Sequence, residues 1–262
     1  MDGTSWEELP LAAATGSTLS AVAAGPEGVV VIGTDDDDPE TVKIWHATKG
    51  RQFDTPLINP VRYYSDTPTA PLSADSDGFL LVCGVGTTVA YTSNNGIDWR
   101  DISPGLEKVD WLGPAARYGS TWASFGYVSD GGPGSDETPD PDNPFGVGVW
   151  TRGDDGQNWS RSSKLDPGRL PDAGVAPPVN AHVQSVAVSD TAFIVAGNAD
   201  YVGAVWTSPD GQVWTKQPTR ANGFDKIFQF DAVAASGSRV VLVGYGPIKT
   251  NVWLGQVTLV SK

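Results

Sequence analysis

The sequence predicts an all-β chain built from repeated four-stranded units. Three observations carry that expectation. The 262 residues include 31 Gly and 20 Pro, and no window between these breakers holds a 3.6-residue apolar period. Short runs of Val, Ile, Leu, Phe and Trp recur between clusters of Gly, Ser, Asp and Pro, as short strands separated by tight turns do. One turn motif is then repeated along the chain, and a repeat of this length points to a fold assembled from like units.

Each unit reads as three strands, a turn and a fourth strand. The first strands are expected at 20–24, 70–74, 110–114, 184–188 and 231–235, with Ser20, Ala70, Asp110, Gln184 and Asp231 at their openings. The second strands are Val-rich and end in glycine at Gly33, Gly84, Gly126, Gly197 and Gly244. The third strands carry an aromatic residue: Trp45, Tyr91, Trp150, Trp206 and Trp253. The turn follows, as Asn95-Gly96-Ile97-Asp98-Trp99, Asp155-Gly156-Gln157-Asn158-Trp159 and Asp210-Gly211-Gln212-Val213-Trp214. A worn copy spans 47–53, and the N-terminus holds half a copy, Asp2-Gly3-Thr4-Ser5-Trp6. In this turn Gly supplies a positive φ, the Asp or Asn side chain bonds the turn's own backbone, and Trp returns to fill the space between sheets.

These residues resemble the Asp box, or bacterial neuraminidase repeat, Ser/Thr-x-Asp-x-Gly-x-x-Trp/Phe. That motif occurs on β-propeller blades of sialidases and many unrelated proteins. The resemblance implies a single β-propeller domain over 1–262, with five four-stranded blades. Its box residues Asp2, Gly3, Trp6, Asn95, Gly96, Trp99, Asp155, Gly156, Trp159, Asp210, Gly211 and Trp214 are implied to be structural. The fifth unit lacks a box after Trp253, so residues 2–6 are expected to supply its fourth strand and close the ring. Insertions are expected at about 129–146 and 160–182, the wider intervals between aromatics.

In such a blade the box turns share one end with the turns joining first and second strands. The opposite face carries the other loops, and function is expected there. Two of its loops are acidic. One holds Asp35, Asp36, Asp37, Asp38 and Glu40, read either as a solvated loop or as a Ca2+ site. The other holds five acids within 129–146. Arg62, Tyr63, Tyr64, His182, Tyr201 and Tyr245 are the candidate binding residues of this face, since aromatics stack on sugars or peptides and Arg pairs with carboxylates.

Charge and composition exclude several classes. With 17 Lys+Arg against 31 Asp+Glu, the formal charge is -14, which repels nucleic acid and anionic membrane. One cysteine and two isolated histidines make neither a disulfide framework nor a zinc site. No apolar run is long enough to span a membrane, and no signal peptide opens the chain.

Catalysis would fall to Asp110 and Asp231, as paired carboxylates at a channel mouth. The sialidase resemblance implies an arginine cluster and an Arg near the start of the first strand, where this chain reads Leu19-Ser20-Ala21. The expectation is therefore a non-catalytic module that binds a protein or glycan, extracellular or virion-associated, without a cofactor. A sialidase-like glycoside hydrolase is the alternative.

Overall fold

A computed structural model of the chain describes residues 11, 14–38, 41–48, 52–54, 56–58, 72–83, 88–106, 109, 111–127, 147–153, 158–165, 181–199, 202–247 and 249–257. Regular structure among them is β-strand throughout, apart from one short 3-10 turn, Phe224–Lys226. The strands form five antiparallel sheets, each built from neighbours in sequence. They belong to two compact units, one of residues 1–85 and 89–102, the other of residues 86–88 and 103–262.

The first unit holds two four-stranded sheets. One is β1 (Ser17–Gly25), β2 (Gly28–Asp35), β3 (Val42–Ala47) and β4 (Leu57–Ile58); the other is β5 (Leu72–Asp75), β6 (Gly78–Cys83), β7 (Val89–Ser93) and β8 (Arg100–Asp101). Val30, Ile32, Ile44, Phe79, Leu81 and Tyr91 form the core between them, with Trp99 packed against it.

The second unit holds three sheets. They are β9 (Trp111–Tyr118) to β12 (Ser160–Lys164) through β10 (Thr121–Tyr127) and β11 (Gly148–Gly153); β13 (Ala181–Val188) to β16 (Thr215–Lys216) through β14 (Phe193–Ala199) and β15 (Val202–Ser208); and β17 (Gln229–Ser236), β18 (Arg239–Tyr245) and β19 (Thr250–Gln256). The middle sheet is packed on both sides. Phe125, Val149, Val183, Phe193 and Trp206 fill one interface. Ile194, Val205, Phe230, Val240 and Leu242 fill the other. The first strands converge, β13 lying beside both β9 and β17.

A repeated β-bulge explains the glycine that ends the second strand at Gly33, Gly197 and Gly244. Leu19 faces Gly33 and Ala21 faces Ile32, so Ser20 is the extra residue. Val183 faces Gly197 and Ser185 faces Ala196, which leaves Gln184. Phe230 faces Gly244 and Ala232 faces Val243, which leaves Asp231. The bulged backbone presses on its partner strand. A Cβ at Gly33, Gly197 or Gly244 would stand 2.6, 1.8 or 2.5 Å from the carbonyl oxygen of Thr18, His182 or Gln229. Glycine is required there for close approach, not for a positive φ.

The same register corrects two expectations. In the third sheet Leu112 faces Gly126 and Ala115 faces Ser124. The bulge therefore falls at Gly113 and Pro114, and Asp110 is not the counterpart of Asp231. Pro114 sits where a strand tolerates proline, at a bulge. The supposed insertion at 160–182 is also shorter, because Ser160–Lys164 is the fourth strand β12 and β13 begins at Ala181.

Candidate functional site

Two complete box turns lie among the described residues, and their geometry repeats. Asn95 Oδ1 accepts from the amides of Ile97 and Asp98, both at 2.9 Å. Asp210 Oδ1 accepts from Gln212 at 2.8 Å and Val213 at 2.9 Å. Ser93 Oγ and Ser208 Oγ each receive the glycine amide at 2.8 Å. Gly96 and Gly211 share a φ of 76°. Trp99 and Trp214 donate their indole N–H to those glycines' carbonyls at 3.2 and 3.0 Å. Trp214 then stands edge-on to Phe125, ring centroids 5.1 Å apart, in the space between two sheets. Trp159 is buried; Asp155, Gly156, Asp2, Gly3 and Trp6 lie outside the described residues.

This bonding commits the Asn95 amide and the Asp210 carboxylate to the backbone of their own turns. Burial raises the Asp210 pKa, but the amides of Val213 and Gln212 and the Ser208 hydroxyl outweigh it and hold the group below its ordinary value. A lowered folded pKa contributes stability that is present above the unfolded value and lost as pH falls through the folded one. Asp210→Ala is expected to cost about 1–2 kcal/mol at neutral pH. Asp210→Asn should be near neutral, because Asn95 already makes the same bonds, and should remove that group's acid-side loss. Urea unfolding of both variants at pH 7 and pH 3 checks this.

The acidic turn of the first unit is bonded within its own sheets. Asp35 pairs with Lys43 at 2.7 Å, and that bond, then the Asp37 amide, keeps its carboxyl below the usual range. Thr18 Oγ1 donates to Asp36 at 2.7 Å and Thr41 Oγ1 to Asp38 at 2.6 Å. Asp37 donates its amide to Asp35 Oδ1 at 3.0 Å. Glu40 lies outside the described residues. Among those described, no three acidic, His or Cys side chains gather as a metal would require.

Within the second unit, the end opposite its Asp210–Trp214 turn gathers polar and aromatic groups. His182 stands opposite Asn198 in the β13–β14 ladder, and Gln229 opposite Tyr245 in the β17–β18 ladder. His182 was expected before its first strand; the ladder extends far enough to include it. Asn198 Nδ2 donates to Gln229 Oε1 at 2.9 Å, and Gln229 Nε2 donates to Asp231 Oδ1 at 2.9 Å. This relay tethers an exposed carboxylate on the bulge.

Beside it Phe228 and Tyr245 form an exposed edge-on pair, centroids 6.4 Å apart at 81°. They keep 45% and 42% of their surface exposed. Phe228 also lines a cleft of about 510 Å³ with Asp225, Lys226, Pro247, Lys249 and Asn251.

Of the sequence-level candidates, Tyr245, His182 and Asp231 thus meet at one end of two neighbouring sheets. Arg62, Tyr63, Tyr64, Tyr201 and Asp110 lie outside the described residues. Phe228, Asn198 and Gln229 were missed. Position gave a signal for Asn198 and Gln229, since Asn198 follows the bulge glycine Gly197 and Gln229 stands two residues before the bulge residue Asp231. Phe228 had none, because Phe228 and Phe230 read as one alternating core pair.

No family model matches the chain. No curated protein matches it in sequence. Solved structures do. Acylaminoacyl peptidase of Pyrococcus horikoshii is 12% identical, with a TM-score of 0.53, over 92% of this chain and 38% of that one. The β-propeller domain of the Trilobed protease from Pyrococcus furiosus is 11% identical, TM-score 0.52, over 92% of this chain and 69% of that one. The six-bladed β-propeller lectin of the fungus Aleuria aurantia is 12% identical, TM-score 0.50, over 91% and 74%. The fold is that of β-propeller proteins. The chain spans only 38% of the peptidase's length. No helix among the described residues is long and apolar enough to cross a membrane.

Proposed function

We propose that the chain is a non-catalytic β-propeller of five blades that binds glycan through the face opposite its Asp boxes, on an extracellular surface or a virion. The observation that carries this reading is the exposed Phe228–Tyr245 pair beside the Gln229–Asp231 relay. Aromatic faces stack on the apolar side of a sugar ring, while an amide and a carboxylate receive its hydroxyls. The Aleuria lectin is described by its fucose recognition, so the fold supports a sugar-binding use.

One observation favours the hydrolase alternative, the exposed Asp231 on its bulge. Glycoside hydrolysis needs a second carboxylate about 5–9.5 Å away, and the sequence-level partner Asp110 lies outside the described residues. Aryl-glycoside turnover abolished by Asp231→Asn would establish the enzyme.

The direct test is a glycan array followed by titration of the best ligand. Tyr245→Ala and Phe228→Ala should each weaken binding about tenfold or more, the equivalent of one lost stacking contact. Unchanged affinity in both variants would move the site elsewhere.

A further inference from the structure

Two segments of the second unit meet beside the exposed ring pair. One runs from Gly223 through the 3-10 turn Phe224–Lys226 to Phe228, and the other joins β18 to β19 through Gly246, Pro247 and Lys249. They are tied together by their backbones. The Phe228 amide donates to the Tyr245 carbonyl at 2.8 Å, and the Gly246 amide donates to the Lys249 carbonyl at 3.1 Å. Asn251 Nδ2 donates to the same Lys249 carbonyl at 3.3 Å. A Cβ on Gly246 would stand 2.4 Å from the Lys226 carbonyl oxygen, so glycine is what lets the two backbones approach. Both lysine-bearing segments are thereby held in place without a ligand.

The cleft of about 510 Å³ between them is lined by Lys226 and Lys249, together with Asp225, Asn251, Phe228 and Pro247. Sites for small ligands usually measure about 300–1,000 Å³. Among the described residues, neither lysine has a carboxylate in ion-pair contact. That is unexpected in a chain with 17 Lys+Arg against 31 Asp+Glu, where acidic partners are plentiful. Asp225 is the one acidic residue lining the cleft, against two lysines, so the cleft is locally positive. The formal charge of -14 does not decide the matter here, because at physiological salt charges are screened beyond about 8 Å.

The lining also selects the kind of anion. It holds no arginine, whose planar fork reads a planar carboxylate through two parallel bonds. Lysine is a compact point charge with three donors, suited to a tetrahedral oxyanion approached from several sides. We propose that the cleft receives a sulfate or phosphate ester carried by the glycan, with Lys226 and Lys249 on its oxygens. The sugar ring bearing the ester lies on Phe228, the residue that the cleft shares with the exposed ring pair. Asp225 accepts a neighbouring hydroxyl and disfavours a second anionic group. This rests on the glycan reading and adds to it the class of glycan.

The test is an array of matched neutral, carboxylated, sulfated and phosphorylated glycans, probed with the full chain, with the double variant Lys226→Gln, Lys249→Gln and with Tyr245→Ala. The parent should bind sulfated or phosphorylated members about tenfold more tightly than their neutral counterparts, and the arm that binds names the ester. The double variant should lose that preference, and with it the weakening that a rise from about 50 to about 500 mM NaCl causes in the parent. Both lysines are exposed, so its Tm should match the parent's within about 2 °C. Equal binding of neutral members, a preference for carboxylated members alone, or a preference that survives the double substitution overturns the proposal and leaves the glycan reading in place. A preference lost in the double variant but indifferent to Tyr245→Ala keeps the cleft and overturns stacking on the ring pair. Binding to no member overturns both.

Discussion

Gly197→Ala is expected to destabilise the protein by about 3 kcal/mol or more, seen as a Tm lowered by about 6–12 °C. The added Cβ would stand 1.8 Å from the His182 carbonyl oxygen and 2.9 Å from its carbonyl carbon. Both atoms are backbone, so no rotamer change relieves the clash. The β13 bulge at Gln184 would have to flatten or its ladder to part, and the ladder holds His182 opposite Asn198. Because Asn198 donates to Gln229, the variant should also weaken ligand binding. Gly255→Ala is the control. A Cβ there meets nothing within 4 Å, so its stability should stay within about 0.5 kcal/mol of the parent. Equal stability of the two variants would contradict the bulge account.

Trp214→Ala should cost about 3 kcal/mol. Large-to-small truncation of a buried ring costs about 3–5 kcal/mol, and Trp214 is only half-buried, which places it at the lower end. Its ring stands against Phe125 of one sheet and Phe193 of the next, the latter centroids 6.0 Å apart. Removing it opens a gap in the packing between the two sheets, beside the Tyr118–Phe193 contact whose ring centroids are 5.7 Å apart. Trp214→Phe keeps most of the packing and loses the 3.0 Å bond to the Gly211 carbonyl, so it should cost about 1 kcal/mol. Chemical unfolding of both variants measures the difference. Similar values for Ala and Phe would mean that the indole bond, and not inter-sheet packing, sets the role of the box tryptophan.

How far the sequence could be read depended on how local each feature is. The two repeated turns were legible because every bond in them lies within four residues, from Ser93 to Trp99 and from Ser208 to Trp214. The third-strand aromatics and the second-strand glycines were legible because they repeat. The purpose of those glycines was not, since the bulge that demands them is made by a different strand. Asp110 shows the consequence. Aligned by distance along the chain it matched Asp231, whereas ladder pairing put Gly113 and Pro114 at that place. His182 was misplaced by the same cause, because nothing local says how far the β13 ladder extends. The end opposite the box turns was legible as a face, through the positions of its loops. The Phe228–Tyr245 pair was not, because it joins a residue before β17 to the last residue of β18, and only the folded register brings them together.

The proposed function requires that the Phe228–Tyr245 face of the β-propeller bind glycan without cleaving it. The most direct measurement is isothermal titration of the ligand found on a glycan array into the parent chain and Tyr245→Ala, with the ligand recovered and analysed afterwards. The account predicts saturable binding that Tyr245→Ala weakens about tenfold, with the ligand returned intact. Binding indifferent to Tyr245, or a ligand returned hydrolysed, would contradict it.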